Sequence, residues 1–255
     1  MLIDGYAQAP SWEWAKSVGG SGNETANSVI TDSLGNLYMV GWFRSQTISL
    51  GSNILTNHDS NSYEISILKY DQAGNVVWAQ SFGGTSHDYA ISVTTNAIGN
   101  FAVVGNFMSS TLTLGSITLM NTFSMSQDFF IAKYSATGTV LWAYSAGGTN
   151  SYFANFVTHD ASGNLIAIGS FDGPTITFDS TTFLNAGNCI VKYDTAGTVL
   201  WVKLVGGSGS GHAVSICTDV SANIIIAGEF QGSVTFDSAT IITAGNYDMF
   251  VAKTN

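Results

Sequence analysis

The chain has 255 residues, of which 45% are apolar and only 9% are charged, and its net charge is −10 with seven Lys and Arg residues. So few basic residues remove the electrostatic attraction on which binding to nucleic acid or to an anionic lipid surface depends. The sequence has no apolar run near the ~20 residues that a membrane-spanning helix needs, and residues 1–10 lack the basic and apolar parts of a secretory signal.

The first predicted elements belong to an all-β unit. Residues 1–10 are interpreted as an N-terminal extension, and the segment SWEWAKSV that follows resembles one strand. From Ala26 to Thr31 small or polar residues alternate with apolar ones, and the turn SLGN then precedes the apolar run LYMVGWF. The segment from Thr47 to Asn57 predicts an inserted hairpin, and EISILKY, the turn DQAGN and VVWAQSF predict two further strands.

The same series of elements recurs along the chain. The segments WAKSVGG, WAQSFGG, WAYSAGG and WVKLVGG start at Trp14, Trp78, Trp142 and Trp201, at intervals of 64, 64 and 59 residues. A Gly follows each Trp after 27 residues, at Gly41, Gly105, Gly169 and Gly228. Such self-similarity indicates a repeat architecture. We predict repeats at about 26–83, 90–147, 154–206 and 213–255 plus 11–19, within a single domain over residues 11–255.

Four antiparallel strands per repeat, without helical periodicity, predict a four-bladed β-propeller in which each blade carries an inserted hairpin. The chain starts with a fourth-strand segment and ends on a third strand, MFVAKTN. We therefore expect the N-terminal strand to complete the last blade, which would protect an exposed sheet edge. Small residues at one repeat position are assigned to the crowded axis, and Phe at another to packing between blades; these are Ala26, Ala90, Ala154, Ala213, Phe43, Phe107, Phe171 and Phe230.

Two further residue sets are interpreted as structural. A Lys recurs in the third strand, at Lys69, Lys133, Lys192 and Lys253, and we expect it to pair with turn carboxylates such as Asp32 and Asp160. The two cysteines, Cys189 and Cys217, lie outside any C-x-x-C spacing and are expected to be unbridged thiols, which leaves the cellular compartment open.

A ligand would bind where the repeat varies. If the first strand runs from face A to face B, the inserts and the links between blades lie on face A, and the tight turns lie on face B. Function tends to reside in variable loops on a rigid scaffold. The links GGSGNET, GGTSHDY, GGTNSYF and GGSGSGH place the candidate partner-binding or ligand-binding residues there: Asn23, Glu24, His87, Asp88, Tyr89, Asn150, Tyr152 and His212.

These residues leave several functions open. Carboxylates, amides and aromatic rings around an opening could hold a sugar, or the polar side chains could simply bond to the loop backbone. Glu24 and Asp88 could act as a general acid and base in a hydrolase or as ligands for a cation, although the matching positions in the other copies, Tyr152 and Gly211, carry no carboxylate. The histidines show no spacing typical of a metal site or a catalytic triad, and we predict no catalytic residue, no metal and no cofactor.

Several repeat landmarks are similar to a known family. The pattern W-A-x-x-x-G-G, then D-x-x-G-N-x-x-x-x-G-x-F, then F-[IV]-x-K-Y-[DS] resembles the SBBP-type bacterial β-propeller repeat over about residues 11 to 255. Departures from it are Asn96 and Ala222 in turns, and Ser66 and Cys189 in third strands. The resemblance implies a propeller that is bacterial, often secreted or surface-exposed, and without an assigned activity.

These observations favour a non-catalytic structural or protein-interaction module of an extracellular, cell-surface or particle-surface assembly. A protein partner or self-association is expected, whereas nucleic-acid binding and membrane insertion are not. The alternative is a lectin-like propeller that binds carbohydrate with the loops between blades.

Overall fold

The computed structural model describes residues 11–59, 61–121, 123, 126–148, 150–171, 175–178, 181–184, 187–206 and 211–254, and these form antiparallel β-structure. The predicted extension, residues 1–10, lies outside the described residues. No helix in the described part of the chain has the length and apolar character that a membrane span requires.

The first copy of the repeat forms one sheet and one hairpin. Its strands are β1 Glu24–Thr31, β2 Leu37–Phe43, β3 Thr47–Leu50, β4 Asn53–Thr56, β5 Glu64–Tyr70 and β6 Val76–Phe82. Sheet 1 has the order β1, β2, β5, β6, so its neighbouring strands follow one another along the chain apart from the inserted hairpin. The hairpin pairs β3 with β4 and confirms the predicted insert.

The second and third copies repeat this arrangement as sheets 2 and 3. Sheet 2 contains β7 Asp88–Thr95, β8 Phe101–Phe107, β11 Asp128–Tyr134 and β12 Val140–Ala146, with the hairpin β9 Thr111–Leu114 and β10 Ile117–Met120. Sheet 3 contains β13 Tyr152–His159, β14 Leu165–Phe171, β17 Gly187–Tyr193 and β18 Val199–Val205, with the hairpin β15 Thr175–Phe178 and β16 Thr181–Leu184.

The fourth copy, sheet 4, has three strands among the described residues. They are β19 Gly211–Thr218, β20 Ile224–Phe230 and β23 Asp248–Lys253, with the hairpin β21 Ser233–Phe236 and β22 Ala239–Ile242. Repeated groups of antiparallel strands, predicted from the sequence landmarks, are therefore confirmed.

The repeated Gly allows two strands to approach closely. The first strand of each sheet has a bulge beside it, for example between Ala90 and Ser92 in β7. A Cβ on Gly105 would lie 2.0 Å from the carbonyl oxygen of Tyr89, and a Cβ on Gly41 would lie 1.9 Å from that of Thr25. Glycine is required here because any side chain would collide with backbone.

The core lies between consecutive sheets. One apolar cluster joins sheets 1 and 2, a second joins sheets 2 and 3, and a third joins sheets 3 and 4. Phe107, Phe171 and Phe230 are buried in these clusters, in agreement with their predicted role, and Phe43 is buried in a fourth cluster on sheet 1. Side chains from each sheet also bond to the next, because Asn27 donates to the Ala90 carbonyl and Asn155 to the Ala213 carbonyl.

The predicted ion pairs are confirmed where the turn residue is Asp. The Lys192 Nζ lies 2.8 Å from Asp160, and the Lys253 Nζ lies 2.7 Å from Asp219. The Lys69 Nζ lies 3.9 Å from Asp32. In sheet 2 the turn residue is Asn96, and Lys133 donates to the Thr195 carbonyl of sheet 3 at 2.9 Å. Cys189 and Cys217 are both free thiols, as expected.

The predicted pairing of the N-terminal strand with the last sheet is absent from the described residues. Residues 11–20 form no strand, and β23 pairs with β20 on one side only. The N-terminal segment instead lies against sheet 1, where Trp14 stacks on Tyr70 and donates its Nε1 proton to the Gln72 carbonyl. Val18 joins the apolar cluster on that face. Contacts with sheet 1 thus hold the segment in place.

This position of the N-terminal segment follows the repeat. Trp142 of β12 makes the same contact with the next sheet, because its Nε1 donates to the Thr195 carbonyl. Trp14 therefore lies on sheet 1 as the outer strand of a preceding sheet would. The inner strand of that preceding sheet has no counterpart among the described residues, so Ala26 is exposed, whereas Ala90 at the matching position is 0% exposed.

Candidate functional site

Glu24 and Asp88, the two candidate acid and base residues, occupy matching positions at the starts of β1 and β7. Each carboxylate ties the preceding Gly-Gly link to the start of the inserted hairpin. Asp88 accepts hydrogen bonds from the Gly84 amide at 3.0 Å and from the Ser109 hydroxyl at 2.7 Å. Glu24 accepts from the Ser45 amide and hydroxyl and, at 3.5 Å, from the Gly20 amide.

The geometry of Asp88 is that of a structural carboxylate. The residue is 0% exposed, and the amides of Met108 and Ser109 donate to its Oδ1 at 3.1 and 3.2 Å. Burial raises the pKa of Asp88 to about 6, although these hydrogen bonds lower it. Because its oxygens are occupied and it is closed off from solvent, Asp88 is poorly placed to exchange a proton with a substrate.

Tyr152 carries the same function in the third copy. It is buried, stacks on Phe171, and donates its hydroxyl proton to the Thr175 carbonyl at the start of the hairpin. A phenol can therefore replace the carboxylate as the link between the loop and the hairpin. Burial raises the pKa of Tyr152, so it remains a hydrogen-bond donor at neutral pH.

His87 and Tyr89 come together with two aromatic residues from sheet 1. The ring centroid of Tyr63 lies 4.6 Å from that of His87, 5.6 Å from that of Tyr89 and 4.5 Å from that of Trp42. The Tyr63 amide donates to His87 Nδ1 at 3.2 Å, which orients the imidazole. We call these four half-buried residues, Trp42, Tyr63, His87 and Tyr89, the aromatic cluster.

The sequence interpretation missed two members of this cluster. Trp42 stands in the landmark VGWF, where the other copies have Asn106, Ser170 and Glu229, and Tyr63 lies directly before β5. Their departure from the repeat was the available signal. This signal lies at the end of β2 and directly before β5, outside the links between copies where the other candidate residues lie.

The remaining predicted residues lie apart from this cluster in the repeat. The Asn23 carbonyl accepts from the Arg44 amide at 2.9 Å. Asn150 is exposed on the link before β13. His212 is exposed in β19 opposite Glu229, at the position that matches Tyr89. The structure thus places the predicted residues at equivalent points of different copies, and it joins His87 and Tyr89 into one surface.

The cluster supplies flat apolar surface with polar edges. Indole, phenol and imidazole rings are the groups that anchor protein interfaces, and they also stack on sugar rings. Among the described residues no group of three or more His, Cys, Asp or Glu side chains is arranged to hold a metal ion. The aromatic cluster therefore suits non-covalent packing against a protein or a sugar.

The comparisons with known proteins agree with a repeat fold. No protein-family model matches the chain. It is 28% identical over 231 residues to the WD repeat-containing protein L264 of Acanthamoeba polyphaga mimivirus, which covers 77% of this chain and 17% of that protein. It is 28% identical over 107 residues to the regulatory protein FlaEY of Caulobacter vibrioides, covering 42% of this chain and 11% of that protein.

A solved structure of a protein of unknown function from Bacteroides caccae aligns with a TM-score of 0.43 and 12% identity, covering 91% of this chain and 61% of that one. The chain spans less than a fifth of the length of the two curated relatives. Together the strand groups and the WD-repeat relative define the class as an all-β repeat protein, consistent with a propeller-like fold.

Proposed function

We propose that this chain is a non-catalytic protein-interaction module built of SBBP-type propeller blades, and that the aromatic cluster is its binding surface. The main support for this proposal is the contrast between two sets of residues in the same part of the repeat. The candidate catalytic carboxylates accept hydrogen bonds from backbone amides and Ser hydroxyls, whereas Trp42, Tyr63, His87 and Tyr89 remain half-exposed and contact one another with tilted or edge-on rings. Aromatic residues of this kind dominate the energetics of protein interfaces.

The relatives and the composition support the same proposal. The WD-repeat relative belongs to a class of repeat proteins that present surfaces to partners, and repeat scaffolds of this kind bind through variable loops. The low charge of the chain and its Gly, Ser, Thr and Asn content suit an extracellular or particle surface, which we propose as its location. Antibody labelling of intact cells or particles would reveal that location.

We further propose that the four sheets are blades of a ring closed by the chain's own ends. The uncovered face of sheet 1 is a groove of 430 Å³ that contains Trp14, Val18 and Ala26. Sheet 4 carries complementary apolar surface, because Met249 is 90% and Val251 is 73% exposed, whereas the matching Phe129 and Ile131 of sheet 2 are buried. Each face resembles one half of the interfaces between consecutive sheets.

A carbohydrate ligand is the second candidate, and the aromatic cluster also favours it. Aromatic rings at a solvent edge can pack against the apolar face of a sugar while polar groups at the rim bond to its hydroxyls. Protein and sugar binding would use the same four residues, so one variant tests both.

The test is selection on the purified chain with a displayed peptide library and with a glycan array, each repeated on Trp42→Ala. We expect peptide ligands whose affinity falls at least tenfold on Trp42→Ala, because truncation removes the largest ring of the cluster. The control is Tyr247→Ala, an exposed aromatic residue outside the cluster. Glycan ligands sensitive to Trp42→Ala would establish the second candidate instead. Ligands indifferent to Trp42→Ala would contradict both.

A further inference from the structure

A separate cavity lies outside the aromatic cluster, along the groove between β12 of sheet 2 and the neighbouring sheet 3. It has a volume of 390 Å³ and is lined by side chains of both sheets, among them Asp128, Tyr144, Ser145, Thr177, Tyr193 and Thr198. Concave sites of this size with a few convergent polar groups are the usual place of small-molecule binding.

Asp128 lines this cavity and has a carboxyl oxygen without a hydrogen-bond partner among the described residues. The residue is 5% exposed, and its Oδ1 atom is buried without a hydrogen-bond partner in the described part of the chain. Burial raises the pKa of Asp128 to about 7, while a hydrogen bond from the Gly148 amide lowers it. A buried polar atom without a partner is costly unless a ligand or water satisfies it.

The residues that match Asp128 in the other copies differ from it in identity or in their hydrogen bonds. In sheet 1 the matching Glu64 bonds through its Oε1 to the His58 amide and ring, although its Oε2 is also without a partner among the described residues. In sheet 4 the matching Asp248 accepts from the Ala244 amide at 2.8 Å. In sheet 3 the residue is Gly187. In sheet 2 the carboxyl at this position lines the groove between two sheets.

Tyr144 gives the same cavity a flat wall. Its ring stacks on that of Tyr193 with an interplanar angle of 3° and a centroid distance of 6.2 Å, and it is 43% exposed. The positions that match Tyr144 hold Lys16, Gln80 and Lys203, so the exposed ring is again specific to sheet 2. One face of a supported phenol is thus available to a ligand.

The chemistry of the lining selects the ligand. The hydroxyl groups of Ser145, Thr177 and Thr198 can donate and accept hydrogen bonds, and the described lining residues include no Lys, Arg or His to attract an anion. An aromatic wall opposite hydroxyl and carboxyl groups matches a ring with one apolar face and hydroxyls at its edge. We propose that this cavity binds a neutral sugar, stacked on Tyr144 and hydrogen-bonded to Asp128.

The inference goes beyond the proposed function, because it shares no residue with the aromatic cluster. The test is saturation-transfer NMR and calorimetric titration of the purified chain with neutral sugars: glucose, galactose, mannose, xylose and N-acetylglucosamine, with their disaccharides. We expect one of them to bind, and we expect Tyr144→Gln, which installs the residue of sheet 1, to weaken binding at least tenfold. Tyr247→Ala, an exposed aromatic residue outside both this cavity and the aromatic cluster, is the control and should leave this binding unchanged.

Two Asp128 variants separate a sugar from a cation. Asp128→Ala should weaken sugar binding about tenfold, whereas Asp128→Asn, which keeps the hydrogen-bonding groups, should retain it within about threefold. Tetramethylammonium is the competing ligand, and its binding would rise above pH 7, where the carboxyl ionises, and would disappear in Asp128→Asn. The proposal is overturned if no sugar binds, if Tyr144→Gln binds as the wild type does, or if tetramethylammonium binds in place of the sugars. Thermal melts of each variant confirm that it is folded.

Discussion

At the residue scale, different side chains at the same position of the repeat make equivalent hydrogen bonds. Glu24 and Asp88 tie a loop to a hairpin with a carboxylate, and Tyr152 does so with a phenol. The turn carboxylates Asp32, Asp160 and Asp219 likewise bond the following turn amides and the third-strand Lys. These hydrogen bonds lower the pKa of Asp32 and Asp160. The hydrogen bonds that a carboxylate makes to the backbone therefore show whether its role in the repeat is structural.

The turn of sheet 2 gives the first stability prediction. Asn96 stands where the other copies have Asp, so the turn beside Lys133 holds no carboxylate, and burial lowers the pKa of Lys133. Asn96→Asp would supply that carboxylate, and we expect it to raise Tm by about 2–4 °C, since a partly buried pair stabilises by about 1 kcal/mol. Differential scanning calorimetry measures the shift.

The matched control is Asp160→Asn, which removes the partner of Lys192 and should lower Tm. Two results together would contradict this prediction: Asn96→Asp melts at or below the wild-type temperature, and Asp160→Asn has the wild-type Tm. The ion pairs would then contribute nothing to stability.

At the element scale, the bulge in the first strand and the Gly of the second strand together allow the two strands to approach closely. The strand-to-strand approach at Gly105 leaves no room for a Cβ, which would lie 2.0 Å from the Tyr89 oxygen and 2.6 Å from the Phe130 ring. The spacing of 27 residues between Trp and Gly is the same in every copy. An insertion between them would move the Gly out of register with the bulge of the first strand. The hairpin has ten residues in every copy, and length varies mainly in the link from the hairpin to the third strand, which has seven, seven, two and five residues.

The second stability prediction concerns this approach of two strands. We expect Gly105→Ala to destabilise the chain by about 3 kcal/mol or more, because backbone and the Phe130 ring must both move. Urea unfolding followed by circular dichroism measures the change.

Gly245→Ala is the control, since a Cβ there meets no atom within 4 Å, and it should change stability by less than about 0.5 kcal/mol. Equal stability of the two variants would refute the packing account of the repeated Gly.

Most of each element could be predicted from the sequence, because alternation and turn residues are local signals. The runs LYMVGWF, EISILKY and VVWAQSF coincide with β2, β5 and β6. The aromatic cluster could not be predicted in the same way, since Trp42 and Tyr63 meet His87 only after two sheets pack together. The groove at Asp128 and Tyr144 also depends on packing between sheets.

At the scale of the whole molecule, the ends of the array carry unfinished interfaces. Ala26 is exposed where Ala90, Ala154 and Ala213 are buried, and β23 has an open edge among the described strands. Sequence phase predicts that these two ends join, but the phase alone says nothing about the angle between sheets. The described residues place the N-terminal segment on sheet 1 without its pairing to β23, so closure stays a prediction.

Cross-linking of the two ends tests the central claim most directly. The repeat register pairs Ile67 with Gln80 and Ile131 with Tyr144, so the matching pair at the ends is Val251 and Lys16. Lys16→Cys with Val251→Cys, in a Cys217→Ser background, should form a disulfide within one chain on mild oxidation. Lys16→Cys with Val220→Cys, whose second site is fully exposed in the turn between β19 and β20, is the control pair and should not form one.

The readout is non-reducing electrophoresis with mass spectrometry of the linked peptides. A closed ring predicts a monomer with a disulfide that joins positions 16 and 251, is lost on reduction and raises Tm while present. Absence of this link, or links formed only between two chains, would contradict a ring closed by the chain's own ends.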